Sequence, residues 1–164
     1  MILHCNAMRN CPFRILAAAL LLSAPLYAFD RQDFDRIADF SVTIKTLAGL
    51  SEPGRLSGRL LLLDGTVASM QFLDPEQATF AVELELAGGE WLGTEDVKIY
   101  LCRVRFRGAE YFRLFPRRAP RNPDPSQVVP NDRILVLARL AGRTPGEDGA
   151  PLWVLEGLAV RPLR

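Results

Sequence analysis

The sequence predicts a mainly β protein, a small antiparallel barrel with a short N-terminal helix. Residues 80–87 and 97–107 alternate apolar with polar or charged side chains, the period of a half-buried strand. Turn signals such as Asp64-Gly65, Asp74-Pro75, Gly88-Gly89 and Pro145-Gly146 separate the apolar runs. With residues 1–28 set aside, about 136 residues remain, one domain's worth and enough to bury a core.

Residues 1–28 have the order of a secretory leader. Arg9 and Arg14 precede the apolar run 15–22, and the stretch Ser23-Ala24-Pro25-Leu26-Tyr27-Ala28 ends on a small residue. Cleavage is expected after Ala28, whether translation starts at Met1 or Met8. Residues 15–29, broken by Pro25, fall short of the roughly 18 apolar residues a membrane helix needs. No transmembrane segment is therefore expected after leader removal, and the expected location is exported, periplasmic or extracellular. The expected organisation is a cleaved leader at 1–28, a helix and linker at 29–54, and a barrel at 55–164.

The elements follow in order. Asp30 is a candidate N-cap for a helix over 31–39, with Phe34, Ile37 and Ala38 on one face. Phe40, Val42 and Ile44 then alternate like a strand, although one helix running on to Leu50 also fits the spacing. Asp64-Gly65 between 60–63 and 66–73 reads as a hairpin turn. In the next strand Phe80, Val82, Leu84 and Leu86 share one face, and Gly88-Gly89 ends it. Over 97–107, Tyr100, Cys102, Val104 and Phe106 share a face and Arg103, Arg105 and Arg107 the other. Residues 109–115 suit a helical turn. Five prolines between Pro116 and Asn131 exclude a central strand or helix there. Residues 132–140 and 152–160 complete the set.

From residue 66 onward the order is three strands, a short helix or loop, and two strands. In this, Val67–Leu73, Phe80–Leu86, Val97–Phe106, Arg133–Leu140 and Trp153–Arg161 resemble an OB-fold over roughly 95 residues. The resemblance is one of pattern and of exported bacterial type, with no family motif. It implies a ligand face on the second and third barrel strands, flanked by the first and last hairpin loops.

Composition narrows the chemistry. The single histidine, His4, lies in the leader, so the mature chain has no imidazole base or imidazole metal ligand. No phosphate-binding glycine loop is present, and no cofactor is expected. Cys5 and Cys11 leave with the leader, so Cys102 has no internal disulfide partner and is expected to be buried.

The mature chain is nearly neutral, with 18 basic and 19 acidic residues, but its charge is uneven. Lys98–Arg121 holds eight basic residues and one acid, Glu110, interleaved with aromatics. Arg103, Arg105, Arg107, Tyr111, Arg113, Arg117, Arg118 and Arg121 form the candidate binding surface for an anion or a polymer. Against it stands a plainer role, in which the strand arginines answer Glu83 and Glu85 across the sheet. Glu83 with Glu85, or Glu95 with Asp96, is a carboxylate pair for hydrolysis only if it faces a cleft; a solvated surface is the expectation. Glu147, Asp148, Asp132 and Glu156 lack calcium-ligand spacing. Trp91 and Trp153 are expected to pack in the core or at its rim.

The function expected from these residues is a non-enzymatic binding or assembly module of the cell envelope. Its partner would be an envelope protein or an anionic polymer. The alternatives are an anion- or glycan-binding module on the Arg103–Arg121 surface, a small carboxylate-based hydrolase and a nucleic-acid-binding OB-fold. The leader makes nucleic acid an unexpected partner.

Overall fold

The computed structural model describes residues 38–146 and 149–164. The expected leader and its cysteines and histidine, the Asp30 cap and the Glu147-Asp148 pair lie outside the described residues. The elements are β1 (Ala38–Asp39), α1 (Ile44–Ala48), β2 (Leu60–Asp74), β3 (Ala81–Trp91), β4 (Val97–Arg107), β5 (Arg133–Pro145) and β6 (Pro151–Pro162). Short 3-10 turns occupy Pro53–Leu56 and Ala109–Tyr111. No helix among the described residues is long and apolar enough to cross a membrane.

Five strands close into a ring in the order β2-β3-β4-β6-β5, with β5 returning to β2. All pairings in the ring are antiparallel except a short parallel one, Arg103–Arg105 of β4 against Val154–Glu156 of β6. The barrel expected from alternation is therefore present, with one parallel seam. β3 and β4 follow the expected faces, and their register runs unbroken from Ala81 opposite Arg107 to Trp91 opposite Val97.

Three local expectations are corrected. Asp64-Gly65 is not a hairpin turn but lies inside one 15-residue strand, β2. Residues 60–66 pair with β5 and residues 66–74 with β3, so this strand serves both sides of the ring. Gly65 is there for space: a Cβ at this position would come within 2.7 Å of the Ile44 Cδ1 of α1. Asp64 is held on the strand by a two-pronged bond from the Arg133 guanidinium, with Arg133 Nε at 2.9 Å.

At the N-terminal end, Ala38–Asp39, expected to finish a helix, form a strand parallel to Leu60–Leu61. Residues 31–37 of the expected helix lie outside the described residues. A helix stands at Ile44–Ala48, where the alternation suggested strand and the alternative spacing suggested helix. Thr43 and Thr46 fix its start by a reciprocal capping box. Thr43 sits inside the apparent alternation of residues 40–45 and Thr46 just past it, so the alternation masks the Thr-x-x-Thr spacing. Gly88-Gly89 does not end β3 either, which continues to Trp91.

The core is a single cluster. Phe80, Phe106 and Phe115 lie together at one mouth, with Phe106–Phe115 ring centroids 5.1 Å apart. The proline-rich segment is tied to this mouth by buried Val128, whose N–H donates to the Leu114 carbonyl at 2.8 Å. Ile44 and Leu47 of α1 join the same cluster.

Cys102 is fully buried on the inward face of β4, as its neighbours predict. Burial, and then the Glu85 charge, push its thiol from 9.0 up to about 12. Native protein is accordingly expected to react with a thiol reagent only at the rate of opening, many-fold slower than in denaturant. The raised value also sets a sign. Below about pH 9 folded and unfolded thiols are both protonated. Between about pH 9 and 12 only the unfolded thiol ionises, so stability falls with rising pH across that window. Fast labelling of native protein at pH 8 would contradict this placement.

Candidate functional site

The outer face of β3 and β4 brings the sheet arginines together. Glu85 lies opposite Arg103 and Glu83 opposite Arg105. Arg105 Nε sits 2.5 Å from Glu83 Oε2, Arg103 Nη1 is 3.5 Å from Glu83 Oε1, and Arg103 Nε is 3.8 Å from Glu85 Oε2. The cross-strand pairing set out as the plainer role is thus real for Arg103 and Arg105. One detail is corrected: Glu83 is not a solvated carboxylate but only 7% exposed, because the two arginines fold over it. Glu83 is therefore occupied as a counter-ion and faces no cleft as an acid-base group.

The remaining predicted residues divide. Arg107 stands opposite Ala81 at the end of the row, exposed and with no ionic partner among the described residues. Arg113, Arg118 and Arg121 are exposed on the segment that follows the barrel mouth, and Arg117 Nη2 donates to the Pro75 carbonyl at 2.8 Å. Tyr111 is half-buried and turned to the core. Its hydroxyl donates to the Leu158 carbonyl at 2.9 Å, its ring packs on Phe106, and burial raises its hydroxyl above the usual value.

At the opposite end of the same face the structure shows residues that sequence reasoning missed. The hairpin between β3 and β4 carries Trp91 at 71% exposed, beside Leu92, Val97 and Ile99 at 63%. The register places Trp91, Val97 and Ile99 on the side of the sheet that carries Arg103, Arg105 and Arg107. The expectation that Trp91 packs in the core or at its rim is overturned, because β3 and β4 run past their pairing with β2 and β6 and leave Trp91 71% exposed. Trp153 is 3% exposed, as expected, with the Arg143 guanidinium 3.9 Å above its ring. The detectable signal for Trp91 was its place next to a charged turn, Leu92–Asp96, closed by a 2.8 Å bond from Leu92 N–H to the Asp96 carbonyl.

The hairpin's other side is anchored. Lys45 of α1 reaches Glu90 at 2.5 Å and the Tyr100 hydroxyl donates to Glu90 at 2.9 Å. The Lys45 bond first, and the Tyr100 bond second, hold the Glu90 carboxyl below its usual range. Trp91 therefore stands on an arm braced from behind.

The closed five-strand ring defines an OB-like barrel. No family model matches the chain, and no curated protein matches it. Among solved structures, it is similar to an aspartyl-tRNA synthetase-like chain from Leishmania major Friedlin, at 11% identity and TM-score 0.47, covering 74% of this chain and 20% of that one. It is also similar to the small single-stranded DNA-binding protein of Streptomyces coelicolor, at 15% identity and TM-score 0.38, over 63% and 90% of the two chains. The single-stranded DNA-binding protein of Thermus aquaticus follows at 18% identity and TM-score 0.40, over 64% and 49%. The chain thus spans less than two thirds of the synthetase and of the Thermus protein. These likenesses are of fold.

Two expectations are corrected by these neighbours: an envelope binding or assembly module as the function, and nucleic acid as an unexpected partner. Both rested on residues 1–28, which lie outside the described residues, and not on the chemistry of the barrel's face.

Proposed function

We propose that this protein binds single-stranded nucleic acid across the outer face of β3 and β4. The observation that carries the proposal is that exposed Trp91 and the row Arg103, Arg105 and Arg107 share one face of one strand pair. A strand of unpaired bases offers aromatic faces to stack on and phosphates to neutralise, and this surface supplies one of each along a single line. Stacking on an aromatic side chain tolerates any base, so little sequence preference is expected. From Val97 to Arg107 the strand runs about 33 Å, at roughly 3.3 Å per residue. That length suits the roughly 4–16 nucleotides an OB-fold covers.

The pairing of Arg103 and Arg105 with glutamates sets the order of events. Arg107 and the arginines of residues 113–121 meet phosphate first, because they carry no competing carboxylate. Where the chain meets its strand depends on residues 1–28: with a leader cleaved after Ala28, the meeting place is outside the cytoplasm.

Tryptophan emission tests the proposal, since Trp91 is exposed and Trp153 is buried. A ten-nucleotide oligo(dT) or oligo(rU) is expected to quench it at low salt, with affinity falling as salt rises. Read by anisotropy of a labelled oligomer, since the variant lacks the emitting residue, Trp91→Ala is expected to weaken binding about 5- to 150-fold, the loss of one stacked base at about 1–3 kcal/mol. No binding of either oligomer at low salt, or a Trp91→Ala variant that binds like the parent, would overturn it.

A further inference from the structure

The other end of β3 and β4 opens on a second feature. Residues that close the barrel mouth leave a cavity of about 490 Å³ between the Phe112–Arg117 segment and the Asp124–Gln127 loop. Its floor is aromatic: Phe80 and Phe115 are buried, and half-buried Phe112 meets Phe80 edge-on at 5.6 Å between centroids. One wall carries two guanidinium groups. Arg113 has no partner among the described residues. Arg117 is steered by its bond to the Pro75 carbonyl, which uses one Nη2 hydrogen and leaves the rest of the fork to donate.

The facing wall is fixed. Arg164 donates to the Asp124 carbonyl at 3.1 Å and the Gln127 carbonyl at 2.9 Å, and it pairs with Asp132 at 2.7 Å. The one carboxylate lining the cavity, Asp124, is turned into its own loop, where it accepts from the Ser126 N–H at 2.9 Å and the Ser126 hydroxyl at 2.6 Å. Those bonds hold it ionised below the usual carboxylate range. Gln127 accepts from the Asp124 N–H through Oε1 at 3.1 Å, so its amide NH2 remains to donate.

We infer that this cavity is a phosphate-monoester site for a nucleotide, with the phosphate between Arg113 and Arg117 and the ring against Phe112. Two planar forks on one wall suit a group with several charged oxygens, and a monoester offers more of them than a diester within a chain. The aromatic floor rewards an attached ring, which inorganic phosphate lacks. The cavity begins where the outer face ends, since Phe80 precedes Ala81, which lies opposite Arg107. The inference thus rests in part on the single-strand proposal: a strand lying along that face would bring its phosphorylated end to this wall. A free mononucleotide carries the same chemistry.

Fluorescence anisotropy with the full chain separates the sources. The probes are oligo(dT) six-mers with a 5′-phosphate, with a 3′-phosphate and with hydroxyl ends, and thymidine 5′-monophosphate as competitor. One phosphorylated end is expected to bind about 5- to 20-fold tighter than the hydroxyl-ended six-mer, the gain of one or two charge-assisted contacts. In the Arg113→Gln/Arg117→Gln double variant all six-mers should bind alike. Arg113→Lys, which keeps charge but not the fork, should lose most of the gain. Six-mers that bind the parent equally well whatever their ends would overturn the inference and leave the single-strand proposal standing. A rise in melting temperature with thymidine monophosphate that is lost in the Arg113→Gln/Arg117→Gln variant, with no six-mer binding, would support the cavity and sink the strand. Binding by none of the probes would sink both.

Discussion

Arg105→Gln is expected to destabilise the barrel by about 2–3 kcal/mol, more than Glu83→Gln does. Intuition about an ion pair gives equal costs, but the two partners are not equally placed. The Glu83 side chain is 8% exposed and that of Arg105 is 36% exposed. Removing Arg105 leaves a buried carboxylate with only Arg103 at 3.5 Å to face it. Breaking a buried pair from the exposed side strands the charge that water cannot reach, which is the costly direction. Removing the Glu83 charge frees two arginines that can turn outward, and should cost about 1 kcal/mol. The double variant should therefore be more stable than the sum of the single losses implies, a coupling of about 1–2 kcal/mol in a denaturant-melting cycle. Equal single losses with no coupling would show that the row is a screened surface feature.

A comparable loss is expected from Gly157→Ala, about 3 kcal/mol or failure to fold. Gly157 lies on β6 against the Phe106 ring, and a Cβ there would stand 2.3 Å from Phe106 Cε1. Phe106 is fully buried and touches Tyr111 and Phe115, so it has nowhere to retreat. Overpacking of this kind typically costs about 1–3 kcal/mol, at the upper end where the neighbour is rigid. A smaller ring partner is the control. Phe106→Leu opens a cavity and lowers stability alone, yet combined with Gly157→Ala it should recover part of the loss. Thermal melts of the four proteins decide it, and an unperturbed Gly157→Ala would mean the ring shifts freely.

The strands were legible where one face is wet and the other dry. β3 and β4 came near to this over Arg103–Arg107 and its partners, and so their faces and Cys102 followed from alternation, although Glu83 on the outer face is itself buried. β2 did not. Asp64-Gly65 carries the composition of a turn, and only the close approach of Ile44 and the grip of Arg133 keep it extended. Both partners are distant in sequence, so no local pattern reports them. The same applies to the candidate site. The arginine row could be read from spacing, but its neutralisation by a shielded Glu83 needed the geometry. The exposure of Trp91 depended on how far the β3–β4 arm outruns the ring, a length that Gly88-Gly89 concealed.

β2 belongs to both halves of the ring, and this has a kinetic side. Its later half can zip with β3 as soon as both emerge, since they are neighbours in the chain. Its earlier half must wait for Arg133–Arg139, some seventy residues on. Until then residues 60–66 present an unsatisfied hydrogen-bonding edge rich in leucine, a template for stray pairing between chains. The barrel is therefore slowest and most vulnerable at its seam. A chain cut short before β5 would retain most of its hydrophobic residues and still have no means of closing over them.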